Sequence, residues 1–83
     1  VPAAPKRNAT GASKTRVDRA IGQRLRAARL RRSMTAEALG APRYTRAHVS
    51  AIELGKISAS VVALSYFARK LRVPLRDLIP PDL

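Results

Sequence analysis

Residues 45–56 run Thr45-Arg46-Ala47-His48-Val49-Ser50-Ala51-Ile52-Glu53-Leu54-Gly55-Lys56. A hydroxyl residue able to cap a helix is followed by a short helical pattern and then a Gly-Lys stop. At 100° per residue, Val49 and Ile52 fall on one side, and Arg46, Ala47, Ser50 and Ala51 on the other. The outward side is small and carries a single long cation in its first turn. Such a helix is slim enough to enter a DNA major groove, and its arginine is the donor type that reads guanine bidentately. The competing reading is an ordinary surface helix with a polar face, so the rest of the chain must decide.

Other chemistries find little to work with. The chain has no Cys and one histidine, His48, so thiolate metal sites, disulfides and cysteine nucleophiles are excluded and a histidine-based metal site is not expected. There is no paired-carboxylate constellation, no phosphate-binding glycine loop and no triad-like set, so neither an enzyme nor a cofactor is predicted. The charge balance is decisive: 17 Lys and Arg face 5 Asp and Glu, a net +12. That excess points to a polyanion, nucleic acid before anionic membrane. No apolar run is long enough to span a membrane, and the polar, proline-containing start does not resemble a signal peptide. Scattered charge and only three aromatics (two Tyr, one Phe) argue against a membrane-surface or single-stranded RNA-binding protein.

The elements that position the motif read as helices throughout. Residues 1–14 hold two prolines, a glycine and no large apolar residue after Val1, which predicts a disordered basic arm carrying Lys6, Arg7 and Lys14; a plain solvated tail is the alternative. Thr15-x-x-Asp18 fits a capping box opening a first helix, with Ile21, Leu25 and Ala28 on one face and Arg31-Arg32 at its end. Ser33 closes it at a position where glycine would be easier. Thr35 caps a second, very short helix broken by Gly40-Ala41-Pro42. Thr45 caps the third, which Gly55 terminates. Ser60 caps a fourth with Leu64, Phe67, Ala68 and Leu71 as its stripe, and Pro74 opens a last turn through Leu75, Leu78 and Ile79, stopped by Pro80-Pro81. No strand-period segment appears. The expectation is an all-α, compact bundle of five short helices in one domain over 15–79, with the basic arm before it and a C-terminal tail or linker start at 80–83.

Two short helices joined by a tight break, the second basic at its start, form a helix-turn-helix pattern. Ile21-Gly22-Gln23-Arg24-Leu25-Arg26 through Arg29, Met34-Thr35-Ala36-Glu37-Ala38-Leu39, Val49-Ser50-Ala51-Ile52-Glu53-Leu54-Gly55-Lys56 and Leu64 to Leu78 resemble the phage-repressor/Cro (xenobiotic-response-element, lambda-repressor-like) helix-turn-helix regulators. The resemblance covers about 60 of the 83 residues, and its most specific stretch is Ser50-Ala51-Ile52-Glu53-Leu54-Gly55-Lys56. Three departures stand out. Arg43-Tyr44-Thr45 replaces the family's Gly-Val-Ser turn. The segment from Leu39 to Val49 is one residue shorter and contains Pro42. Ala36 and Leu54 stand where relatives often carry a polar contact residue.

The resemblance implies sequence-specific binding of double-stranded DNA by a bacterial-type transcription regulator in the cytoplasm at the nucleoid, with helix 45–54 in the major groove. Arg46, Ala47, Ser50 and Ala51 would face bases. Arg43, Tyr44, Thr45, His48 and Lys56 would meet phosphates, helped by Lys6, Arg7, Lys14 and Arg16; the alternatives are a half-buried His48 at the helix flank and plain solvated charges for the cations. Tyr44 has core packing as its default role, with its phenol reaching outward. Arg29 and Glu53 match a buried structural ion pair of the family. A homodimer on a two-fold operator is expected, with Leu75, Leu78, Ile79, Leu83, Val62 and Tyr66 as candidate contact residues or, alternatively, as completion of the core. The rival reading is an antitoxin or protein-interaction module on the same fold, with DNA binding secondary.

Overall fold

The computed structural model describes the backbone of residues 3–81 and the side chains of residues 15–81. Among the described residues the fold is all-α: α1 (Ala3–Arg31), α2 (Ala36–Gly40), α3 (Arg46–Glu53), α4 (Val61–Leu71) and a single 3₁₀ turn, η1 (Leu75–Leu78). The fifth predicted helix is thus a 3₁₀ turn, as its four residues between prolines allow. No helix among the described residues is long and apolar enough to cross a membrane.

Helix starts follow the hydroxyl residues. Thr35 Oγ1 accepts from the Ala38 N–H at 3.0 Å, Thr45 Oγ1 from the His48 N–H at 3.1 Å, and Ser60 Oγ from the Ala63 N–H at 3.0 Å. Each cap satisfies one of the orphan donors of a first turn. The start of α1 differs from the sequence reading. The helix runs back to Ala3, so Thr15 lies within it, and Asp18 accepts from Ser58 Oγ at 2.7 Å. Ala, Lys and Arg in the leading segment favour helix, and Pro5 sits in the first turn, where its missing N–H is tolerated.

Helix ends share one device. Ser33 (φ 55°), Gly55 (φ 74°) and Arg72 (φ 58°) turn the chain left-handed after α1, α3 and α4. After each, the next residue's N–H reaches back five positions: Met34 to Arg29 O at 3.1 Å, Lys56 to Ala51 O at 2.9 Å and Val73 to Ala68 O at 3.0 Å. This is the Schellman closure, which normally selects glycine. Only Gly55 conforms. A Cβ there would come within 2.9 Å of Arg19 Cα, so the glycine also permits close contact with α1.

The core is one cluster. Ile21, Leu25 and Ala28 of α1 meet Leu39 of α2, Val49 and Ile52 of α3, and Ala63, Leu64, Phe67, Ala68 and Leu71 of α4. Gly22 lets α1 approach the end of α3: a Cβ at this position would lie 2.3 Å from the Ile52 carbonyl oxygen and 2.5 Å from that of Glu53. The C-terminal turn closes the bottom of the core. Leu78 is fully buried, Leu75 and Ile79 pack against the cluster half-buried, and Arg24 Nη1 donates to Asp77 O at 3.2 Å. Leu78 is therefore core and not a dimer contact, because η1 folds back onto the gap between α1 and α4. Pro80 is buried as well.

Candidate nucleic-acid interface

Helix α3 has the amphipathic division that its sequence predicts. Val49, Ile52 and Glu53 are buried, Arg46 and Ala47 are exposed, and Ser50 and Ala51 are half-buried. Cap geometry places Thr45 at the exposed mouth of the helix, with Arg43 exposed two residues earlier. Arg43, Thr45, Arg46 and Ala47 therefore form one exposed group at the N-terminal end of α3. No ion pair or hydrogen bond holds the Arg46 guanidinium among the described residues. The eight residues of α3 span about 12 Å.

Lys56 is exposed at the far end of α3, just past Gly55. Its loop lies against α1, since Gly55 abuts Arg19 and Ser58 donates to Asp18. Arg16, also exposed, rims an open depression on α1 with Thr15, Arg19, Ala20 and Gln23. The loop carrying Lys56 thus lies against the stretch of α1 that follows Arg16. The side chains of Lys6, Arg7 and Lys14 lie outside the described residues.

Tyr44 and His48 are packed more closely than exposed phosphate contacts would be. The Tyr44 ring stacks on His48 with centroids 5.3 Å apart and an interplanar angle of 19°. It also meets Phe67 at 5.2 Å and Tyr66 edge-on at 5.4 Å. Both residues are half-buried. This small aromatic cluster joins the α2–α3 connection to α4, and each pair has a geometry that adds attraction beyond area burial.

Beneath the surface, Arg29 donates to Glu53 through two parallel bonds, Nε to Oε2 at 2.7 Å and Nη2 to Oε1 at 3.0 Å. Its third nitrogen, Nη1, donates to Met34 O at 2.9 Å. The residues are 9% and 6% exposed, so the pair is held away from water. Bonding to Glu53 raises the Arg29 pKa above the ordinary arginine value; burial opposes this and the carboxylate's charge adds to it. The pair ties the end of α1 to the end of α3, while Arg26 stands 3.9 Å from Glu53 Oε1 on the exposed side.

Sequence reasoning missed Lys70. Its Nζ donates to Ala38 O at 2.7 Å and also to Ala41 O, which accepts from Tyr66 Oη at 2.7 Å too. Tyr66 is therefore engaged within its own chain. Tyr66 and Lys70 are one helical turn apart, a spacing visible in the sequence, but nothing local shows which carbonyls they meet.

No protein-family model and no curated protein matches the sequence. Among solved structures, the chain is similar to the crystal structure of Bacillus thuringiensis PlcR in complex with the peptide PapR7 and DNA, with 27% identity and a TM-score of 0.68. The match covers 72% of this chain and 21% of that one, so the chain spans about a fifth of the length of the protein it resembles.

Proposed function

We propose that this chain is the sequence-specific, double-stranded DNA-binding domain of a bacterial-type transcription regulator of the phage-repressor/Cro kind, and not an enzyme. The observation that carries the reading is the exposed Arg46, unpaired among the described residues, on a slim α3 whose other face is locked into the core. Support comes from the net charge of +12 and from the likeness to a protein whose solved structure includes DNA. In this reading α3 lies in the major groove. Arg46 pairs with a guanine edge, Ala47 packs on a thymine methyl, Ser50 hydrogen-bonds a base edge and Ala51 leaves room for close approach.

Phosphate contacts come from Arg43, Thr45 and Lys56, with Arg16 and the leading residues Lys6, Arg7 and Lys14 extending the basic track. Tyr44 and His48 contribute through their outer edges, since their ring faces pack on each other. One such helix reads only a few base pairs, which is too short an address, so the domain acts as a homodimer on a two-fold site. Val62, 63% exposed beside Val61 at 69%, is the apolar surface that fits this role. The protein then works in the cytoplasm at the nucleoid.

In vitro selection of bound duplexes tests the proposal. A recurrent motif is expected, bound at least 10³-fold more tightly than random duplex at physiological salt. Equal, salt-sensitive binding to every duplex would overturn sequence reading and favour a protein-interaction module on this fold.

A further inference from the structure

The α2–α3 connection carries Pro42, Arg43, Tyr44 and Thr45 into the first residue of α3, and α4 grips it from the side. Lys70 Nζ donates to the carbonyls of Ala38 and Ala41, and Tyr66 Oη donates to Ala41 O. The ammonium also lies 5.5 Å from the Tyr66 ring centroid, and the Arg43 guanidinium lies 5.8 Å from it. Tyr66 meets Tyr44 edge-on, and Tyr44 stacks on His48 of α3. A continuous set of contacts therefore runs from α4 through the connection into the first turn of α3.

The chemistry suits a clamp. The last carbonyls of a helix have no intrahelical donor, and α2 has only five residues to satisfy its own. An ammonium with three N–H groups can serve two carbonyls at once, and its charge makes these bonds stronger than neutral ones. Lys70 is one of 17 basic residues, yet its ammonium is engaged with two backbone carbonyls of its own chain.

We propose that Lys70 and Tyr66 are positioning residues for DNA recognition: they fix the α2–α3 connection, and through it the angle at which α3 presents Arg46, without touching DNA themselves. The inference rests on the DNA-binding reading and deepens it. It also accounts for how this chain tolerates a connection that departs from the family turn. The carbonyls of Ala38 and Ala41, which a looser turn would leave to water, are taken up by α4.

The test uses Lys70→Met, Tyr66→Phe and the conservative Lys70→Arg in the full chain. Without DNA, amide exchange is followed at Ala41 and Tyr44, whose N–H groups donate to Glu37 O at 3.0 Å and Gly40 O at 2.8 Å. Lys70→Met should lower their protection about tenfold relative to the α1 amides, Tyr66→Phe less, and Lys70→Arg should restore most of it. With DNA, Lys70→Met should reduce discrimination between a selected and a random duplex about tenfold while leaving the salt dependence of binding unchanged. Unchanged exchange at Ala41 and Tyr44 overturns the clamp. So does a loss that is equal on both duplexes and accompanied by a salt slope lower by about one, since that marks a phosphate contact. A wild-type chain that prefers no duplex sinks the DNA reading alone, because the exchange measurement decides the clamp without DNA.

Discussion

Replacing Glu53 by alanine should cost this domain a large part of its stability. The side chain supplies both acceptors for the Arg29 fork, at 2.7 and 3.0 Å, and its removal leaves the guanidinium with the Met34 carbonyl alone. Arg29 is only 9% exposed, so water cannot readily take the place of the carboxylate. A buried cation stranded in this way costs on the order of 3–5 kcal/mol. An 83-residue chain has about 4–12 kcal/mol in total, so the variant sits near its unfolding threshold. Arg26 offers little relief, since it is 59% exposed at the side chain and screened by solvent.

Urea unfolding followed by far-ultraviolet circular dichroism measures this directly. With a slope of about 1–1.5 kcal/mol/M for a domain this small, the midpoint should fall by about 2 M or more in Glu53→Ala. Arg29→Met with Glu53→Leu should recover part of the loss, because neither charge is then left unpaired. Arg26→Ala should change the midpoint little. The pKa shift fixes the pH behaviour: a raised arginine pKa contributes stability that is fully present below the unfolded-state value and is lost only as pH rises through the higher folded value. The Arg29 contribution therefore persists from neutral through mildly alkaline solution. A Glu53→Ala midpoint within about 0.5 M of wild type would refute the argument, since the pair would then be solvated in solution.

Three further outcomes follow from the geometry. Arg46→Ala should cost about 1–3 kcal/mol on a selected duplex and relax preference at one base position, whereas Lys56→Ala should weaken all duplexes alike and lower the salt slope by about one; quantitative gel shifts across salt concentrations separate the two. Gly22→Ala drives a methyl to within 2.3 Å of the Ile52 carbonyl oxygen, so α1 and α3 must part, and urea denaturation should show a loss of about 1–3 kcal/mol. Arg72→Gly relieves a left-handed residue at φ 58° and should raise stability by about 0.5–1 kcal/mol, read as a higher melting temperature; a lower one would show that the arginine makes a compensating contact.

Local physics made most of the fold legible in the sequence. The caps at Thr35, Thr45 and Ser60 and the stop at Gly55 each depend on a few neighbouring residues, so their signals survive without tertiary knowledge. The apolar stripes of α3 and α4 follow from helical period alone. Where the answer depended on distant partners, the same reasoning ran out. Asp18 stands at capping-box spacing from Thr15, yet its partner is Ser58, forty residues on. Leu78 lies in a short terminal turn that could be surface or core, and only the way η1 folds back on α1 decides that it is core. The exposure of Arg46 and Ala47 could be placed from the sequence, but the Lys70 and Tyr66 contacts with Ala38 and Ala41 could not.

The distribution of the few acids explains why the basic surface stays available. Glu53 is committed to Arg29 inside the fold, and Asp18 accepts from Ser58 on the loop that follows α3. Glu37 and Asp77 occupy the first turns of α2 and η1, where a negative charge complements the helix dipole. Among the described residues, no acid pairs with Arg43, Arg46 or Lys56. Each of these acids has a structural task, and among the described residues Arg43, Arg46 and Lys56 stay exposed without a carboxylate partner. Such a surface attracts any duplex, and that attraction falls steeply with salt because it depends on released counterions. On the proposed DNA-binding reading, discrimination would come from contacts that salt does not govern, which means the angle and depth at which Arg46 would meet a base edge. The α4 grip on the connection before α3 would then bear on that angle, and the surface charge on affinity. On that reading, separate sets of residues would tune how tightly the domain holds DNA and how selectively it reads it.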